Sequence, residues 1–285
     1  PGGLDAVGGL DVLKSWLTSR RAAFTARARA YGLPAPKGAM LVGVPGCGKS
    51  LTAKAIATAW GMPLLRLDLG ALKSKWVGES EGNIRKALKV AETVSPCVVW
   101  LDEIEKALGG ASQGAADGGV SSDALGVILS WMQDRAGSVF VIATANDVSA
   151  LPPELLRKGR FDEMFFVDLP NASERKAILS AALKANGRDG KVEITAGCIA
   201  AMSDFTGAEI AAIVPDALFA AFADGEREIT TADLIDAANT VVPLAKTASE
   251  KITKVREWAK GRARPASTPE RAERWISRES GALDL

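Results

Sequence analysis

Histidine is absent from the 285 residues. That removes imidazole acid–base catalysis, Ser-His-Asp triads and His-ligated zinc. Cysteine is scarce: Cys47, Cys97 and Cys198 are too few and too scattered for a disulfide framework or a CxxC metal site. Charge of one sign is missing too. The 35 basic and 34 acidic residues leave a net charge of +1, so no global field draws the chain to nucleic acid or an anionic membrane. No apolar run reaches the ~18 residues of a membrane-spanning helix, and no membrane insertion is expected. The chain begins at Pro1, without methionine or a secretory leader, and reads as a cytosolic-type protein that has lost residues upstream. What is present is ordinary for a soluble globular chain: 47% apolar and 24% charged residues. This length allows one large domain or two ordinary ones, with enough core to need no staples.

The first 160 or so residues alternate short apolar runs with helix-forming stretches. The runs are Ala39–Val42, Leu64–Leu67, Val98–Leu101, Val139–Ala143 and Phe165–Val167. Each is short and nearly continuous, as for strands buried on both faces of a parallel sheet. Helical composition fills Ser50–Trp60 and Glu79–Val94, and Leu125, Ile128, Leu129 and Met132 share one face of a helix over Ser122–Asp134. The alternation predicts a three-layer α/β domain over 1–170. No convincing strand follows Pro170. Ile210, Ile213, Val214, Ala217 and Leu218 form an apolar stripe, and Thr231-Ala232-Asp233 reads as another helix start, so 171–245 is expected to be a small helical domain. Residues 246–285 hold ten lysine and arginine residues against six acids. They read as a basic tail, either solvated or docking an acidic partner, with a linker over Gly261–Pro269 and a short helix at Arg271–Ser280.

Gly43-Val44-Pro45-Gly46-Cys47-Gly48-Lys49-Ser50 fits G-x-x-x-x-G-K-[ST] between a strand and a helix, the context this motif requires. Glycines let backbone N–H groups fold around phosphate oxygens, and the helix N-terminus favours the anion. Lys49 would reach the β- and γ-phosphates, and Ser50 would ligate Mg²⁺. Cys47 leaves this loop open to alkylation, while Cys97 and Cys198 read as buried apolar fillers. Cys97-Val98-Val99-Trp100-Leu101-Asp102-Glu103 is an apolar strand ending in two acids. Such a pair suits phosphoryl transfer, with Asp102 holding the metal and Glu103 orienting the attacking water.

In this order the motifs resemble those of AAA+ ATPases, of the AAA subgroup that contains protein unfoldases and remodelling motors, over roughly residues 6–245. The resemblance implies a P-loop NTPase domain with a parallel sheet and an all-helical lid. It implies ATP and ADP as ligands with Mg²⁺, and contacts from residues 45–51 (Pro45, Gly46, Cys47, Gly48, Lys49, Ser50, Leu51). Asn146 matches the sensor that positions water. Arg157 and Arg160, within Leu156-Arg157-Lys158-Gly159-Arg160-Phe161-Asp162, match arginine fingers acting in the neighbouring subunit; the alternative is surface pairing with Asp162 or Glu163. Val7-Gly8-Gly9-Leu10 resembles the segment lining the adenine pocket, and Gly207-Ala208-Glu209 the lid motif, which lacks a sensing arginine as this subgroup does. Lys75-Trp76-Val77-Gly78 matches the aromatic pore loop of peptide-threading motors; the alternative packs Trp76 into the core. Residues 109–119 stand where the family has a second pore loop, or form an idle loop.

Longer stretches, such as Leu33-Pro34-Ala35-Pro36-Lys37-Gly38 and Gly261-Arg262-Ala263-Arg264-Pro265-Ala266-Ser267, resemble the plastid and cyanobacterial hypothetical-open-reading-frame branch of AAA ATPases. Members of that branch carry an N-terminal region ahead of the ATPase module. The resemblance implies a homo-oligomer, a hexamer by family habit. It also implies a protein or peptide substrate and a cytoplasmic location, or the plastid stroma for a chloroplast chain. Two other functions share these motifs. A nucleotide-gated scaffold would assemble and recruit without threading. A nucleic-acid motor would need a basic channel, and around the pore-loop positions the sequence offers only Lys73 and Lys75 against the acids Glu79 and Glu81, which argues against it.

Overall fold

The computed structural model of the chain describes residues 2–68, 80–108, 120–135, 138–149, 151–157 and 159–269. Its strands are β1 (Gly38–Gly43), β2 (Leu64–Leu67), β3 (Cys97–Leu101), β4 (Val139–Ala145), β5 (Glu163–Val167) and β6 (Arg264–Pro265). They form one sheet in the order β2-β3-β4-β1-β5-β6, and every pair is parallel. Helices α1 (Asp11–Arg21) and α2 (Ala26–Tyr31) precede the sheet. Parallel neighbours need crossovers. Among the described residues these are carried by α3 (Lys49–Trp60), α4 (Ser80–Thr93), α5 (Ile104–Leu108) and α6 (Val120–Asp134).

Alternation along β1 sends Met40 and Val42 to one face and Ala39 and Leu41 to the other. The first face packs on Ile84, Leu88 and Ala91 of α4 and on Ile128 and Met132 of α6. The second packs on Leu13 and Leu17 of α1 and on Ala53 and Ile56 of α3. Both faces are covered, which is why β1 reads as a continuous apolar run rather than an alternating one.

A third apolar cluster is built mostly from helices. It joins α7 (Ala172–Ala185), α8 (Ala196–Ala201), α9 (Gly207–Ala223) and α10 (Thr231–Thr240). Ile210, Ile213, Val214 and Ala217 are fully buried there and Leu218 partly so. Helices α7, α9 and α10 each open with a capping box, through Asn171 and Glu174, Thr206 and Glu209, and Thr230 and Asp233. Such caps are worth about 1 kcal/mol each.

Two sequence expectations are corrected. Strand β4 runs two residues past Ala143, because Thr144 and Ala145 pair with Leu41 and Val42 of β1. The solvated tail and linker are replaced by packed structure as far as residue 269. After α11 (Leu244–Thr247), helix α12 (Ser249–Ala259) packs Ile252 and Val255 into the two clusters of the large domain, and Ala259 is buried as well. The chain then adds β6 to the free edge of β5, with Ala266 N donating to Phe166 O at 2.8 Å. A two-residue edge strand containing proline carries no alternation to read, and an edge is where proline is tolerated. The remaining basic stretch, 270–285, lies outside the described residues.

Candidate functional site

The chain leaves β1 at Gly43 and turns into α3 at the carboxyl ends of the strands, where open α/β sheets bind ligands. Gly48 takes φ 87°, a left-handed conformation that glycine adopts without strain. Ala208 N donates to Gly46 O at 2.9 Å and ties the loop to the first turn of α9. Lys49 is only 5% exposed. Its Nζ donates to Gly43 O at 2.8 Å and Val44 O at 2.7 Å. No carboxylate of the described residues pairs with it, and burial pushes its pKa down to about 8. This buried ammonium is held by two carbonyls and feels Glu105, Glu103 and Asp102 only at a distance; a phosphate at the N-terminus of α3 would supply a direct counter-charge. Cys47 corrects an expectation: burial pushes its thiol up to about 12 against the pull of Lys49, so it stays protonated and poorly reactive.

The two acids after β3 are built into a hydrogen-bonded chain. Asp102 Oδ1 accepts from Ser50 Oγ at 2.9 Å and from Thr144 Oγ1 at 2.8 Å. Thr144 Oγ1 in turn accepts from Glu103 N at 2.9 Å. Glu103 sits at φ 47°, a left-handed turn that sets its side chain apart from Asp102. Its Oε1 accepts from Asn146 Nδ2 at 2.9 Å, and its Oε2 pairs with Lys106. Asn146 N donates to Glu105 Oε1 at 3.0 Å. Glu105 is 6% exposed and its Oε2 has no partner; burial holds its carboxyl above the usual range. Arg66 stacks on Trp100 and reaches Asp102 at 3.5 Å.

A cleft of about 1070 Å³ opens beside this chain of bonds, between the sheet domain and the helices after Pro170. Of the sequence-predicted residues, Val7, Gly8, residues 45–51, Glu103, Asn146, Gly207 and Ala208 line it. Asp102 sits behind Ser50. Arg157 and Arg160 do not line the cleft. Arg157 is exposed, and Arg160 is held by Glu154 O. Neither pairs with Asp162, which accepts from Lys37 N at 2.6 Å and Gly38 N at 3.0 Å. The positions predicted at Lys75, Trp76, Val77 and Gly78, and loop 109–119, lie outside the described residues.

The donor set suits a hard cation shared with a ligand. Ser50 and Asp102 put one hydroxyl and one carboxylate side by side, and among the described residues no group of three or more acids, thiols or imidazoles is arranged to hold a metal ion by itself. Magnesium is typically held this way, by one or two protein oxygens plus substrate phosphates. Sequence reasoning missed Thr144, Glu105, Arg66 and Lys106. Thr144 was hidden because it stands just past the apolar run that marks the strand; a hydroxyl flanked by buried alanines before Asn146 was the signal available.

The comparisons with known proteins agree with this geometry. Residues 39–169 match the family described as "ATPase family associated with various cellular activities (AAA)". The chain is 46% identical over 263 residues to the "Uncharacterized AAA domain-containing protein ycf46" of Guillardia theta, covering 92% of this chain and 52% of that one. It is 34% identical over 211 residues to "Cell division control protein 48 homolog C" of Arabidopsis thaliana, covering 73% of this chain and 26% of the other. The chain thus spans about half the length of the ycf46 relatives it matches. In fold it resembles the crystal structure of the FIGL-1 AAA domain, with a TM-score of 0.71 at 22% identity over 92% of this chain and 90% of that one. Residues 39–169 are an AAA ATPase domain, the family with which the fold and the site geometry agree.

Proposed function

We propose that the chain is the motor module of a ring-shaped, Mg²⁺-dependent ATPase that remodels or threads protein substrates. The observation that carries the ATPase part is the bonded series Ser50–Asp102–Thr144–Glu103–Asn146 at the cleft mouth. It holds a metal-ligand pair and a water-orienting carboxylate in one rigid frame. The loop N–H groups and the Lys49 ammonium would hold the phosphate oxygens. Glu103 takes the proton side of the attacking water, and Asn146 fixes the Glu103 carboxylate toward it. Ser50 and Asp102 would hold magnesium, which would supply positive charge against the developing phosphate charge. Val7, Gly8, Gly207 and Ala208 close the far end of the cleft around the base.

Arg157 and Arg160 complete the site of the next subunit, which accounts for their position away from their own cleft. A trans arginine is worth about 10³–10⁵ in rate. A homohexamer follows from the family resemblance, as does a cytoplasmic or plastid-stromal location. Threading rests on the resemblance of Lys75, Trp76, Val77 and Gly78 to a pore loop. The test is ATP turnover per subunit against protein concentration, with Glu103→Gln as blank. A rate that climbs with concentration supports a ring completed in trans; a flat, blank-sensitive rate refutes it. Trp76→Ala separates motor from scaffold: a motor loses substrate remodelling and keeps ATP turnover.

A further inference from the structure

The end of the cleft remote from the phosphate loop is secured by a side chain outside it. Glu174 stands in the first turn of α7 and is 8% exposed. Its Oε1 accepts from Leu10 N at 2.8 Å and from Ser267 Oγ at 2.5 Å, and its Oε2 accepts from Asn171 N at 3.0 Å. Only the Asn171 bond belongs to the helix's own capping box. Leu10 lies 164 residues away in sequence and Ser267 lies 93 away.

Each remote donor anchors a segment. Residues 7–10 form a short strap, with Leu10 at φ 56° and the Val7 carbonyl held by Lys14 Nζ. The strap lies directly on α7: a Cβ at Gly9 would collide with the Glu174 carboxylate, and one at Gly8 with Ile178. Val7, Gly8 and Ile178 all line the cleft. Ser267 follows β6, in a segment that is further bonded to the large domain. Leu13 N donates to Ala266 O at 3.0 Å, and Thr268 N donates to Asp11 Oδ1 at 2.8 Å. The C-terminal segment, the strap and the lid helix therefore meet at one buried carboxylate.

We propose that Glu174 is a positioning residue for bound nucleotide: through it, segment 264–268 holds the strap and α7 closed over the base end of the cleft and so sets how fast nucleotide leaves. This rests on the reading of the cleft as the nucleotide site. Swinging α7 away from the large domain must break the bonds to Leu10 and Ser267, so opening costs two hydrogen bonds to a carboxylate. Lid opening is a common limit on ligand release.

The experiment is stopped-flow release of a fluorescent ADP analogue from the full chain, paired with the rise in melting temperature that saturating ADP produces. In Glu174→Gln an amide NH₂ must face one of the three donors. Release is expected to quicken about tenfold and the ADP-induced rise to shrink. Ser267→Ala removes one hydroxyl and leaves the capping box intact, so it serves if the glutamine variant does not fold; its release is expected to quicken about threefold. The two changes together should do less than their product, because both act on one oxygen. Release at the wild-type rate in both variants, whatever happens to the melting temperature without ligand, overturns the proposal and leaves Glu174 as packing. Ser267→Ala alone at the wild-type rate overturns the part given to the C-terminal segment. A wild-type chain that does not bind the analogue overturns the nucleotide reading of the cleft itself.

Discussion

Replacing Thr144 by valine keeps the shape of a residue that is 1% exposed and removes one oxygen. That oxygen donates to Asp102 at 2.8 Å and accepts from Glu103 N at 2.9 Å. Asp102 keeps its bond from Ser50, so its loss is partial. The Glu103 N–H is left without a partner at a backbone already in the left-handed region, φ 47°. An unpaired buried donor costs about 1–3 kcal/mol, and relaxing that turn moves the carboxylate that faces the cleft. If about 2 kcal/mol of this is felt where Glu103 must be aligned, turnover falls about thirtyfold. Nucleotide affinity should hardly move, since the loop and Lys49 are untouched. Steady-state ATP hydrolysis and fluorescent-nucleotide binding measure the two, and Thr144→Ser, which restores the hydroxyl, should recover most of the rate. Full turnover in Thr144→Val would refute the claim that this hydroxyl aligns the acids.

Three further outcomes are expected. Glu105→Ala deprives Asn146 N–H of its acceptor and should lower turnover about tenfold, while Glu105→Gln keeps an oxygen there and should recover most of it; equal rates in both variants would contradict the role. All three thiols are buried and shifted upward, so a thiol reagent at pH 8 should find none reactive in the native chain and three after denaturation. Asp233 is held well below its ordinary value of 3.8, first by hydrogen bonds from Arg227. The unfolded chain then binds more protons than the folded one as pH falls through the carboxylate range. Stability present above pH 4 or so should therefore drain away on acidification. Arg227→Ala should flatten that acid limb in a pH series of urea melts, and an unchanged limb would count against the pair.

The nucleotide side of the molecule was legible because its chemistry is local in sequence. Residues 43–50 announce the loop through glycine spacing and one lysine, and Asp102-Glu103 stand directly after an apolar strand. The strands themselves were legible because β1, β3 and β4 are buried on both faces and exclude polar residues almost entirely. What was hidden is what depends on distant partners. Thr144 meets Asp102 across 42 residues, and Glu174 meets Leu10 across 164. Neither pairing leaves a periodicity. The C-terminal strand was hidden for a different reason. Arg264-Pro265-Ala266-Ser267 has the composition of a linker, and only the vacant edge of β5 turns it into a strand. Helix α12 was obscured by its charge: its buried positions Ile252, Val255 and Ala259 form a narrow stripe among lysines, arginines and glutamates.

The central claim is that the cleft is an ATPase site whose arginines come from another copy of the chain. Mixing two crippled variants tests it most directly. Glu103→Gln lacks the water-orienting carboxylate and keeps both arginines; the double variant Arg157→Ala with Arg160→Ala keeps the carboxylate and lacks the arginines. Each alone should be nearly inactive. Mixed at equal concentration they should regain a substantial fraction of wild-type ATP turnover, because mixed neighbours rebuild complete sites. An arginine double variant that hydrolyses ATP at the wild-type rate alone, or a mixture no more active than its parts, would contradict the account.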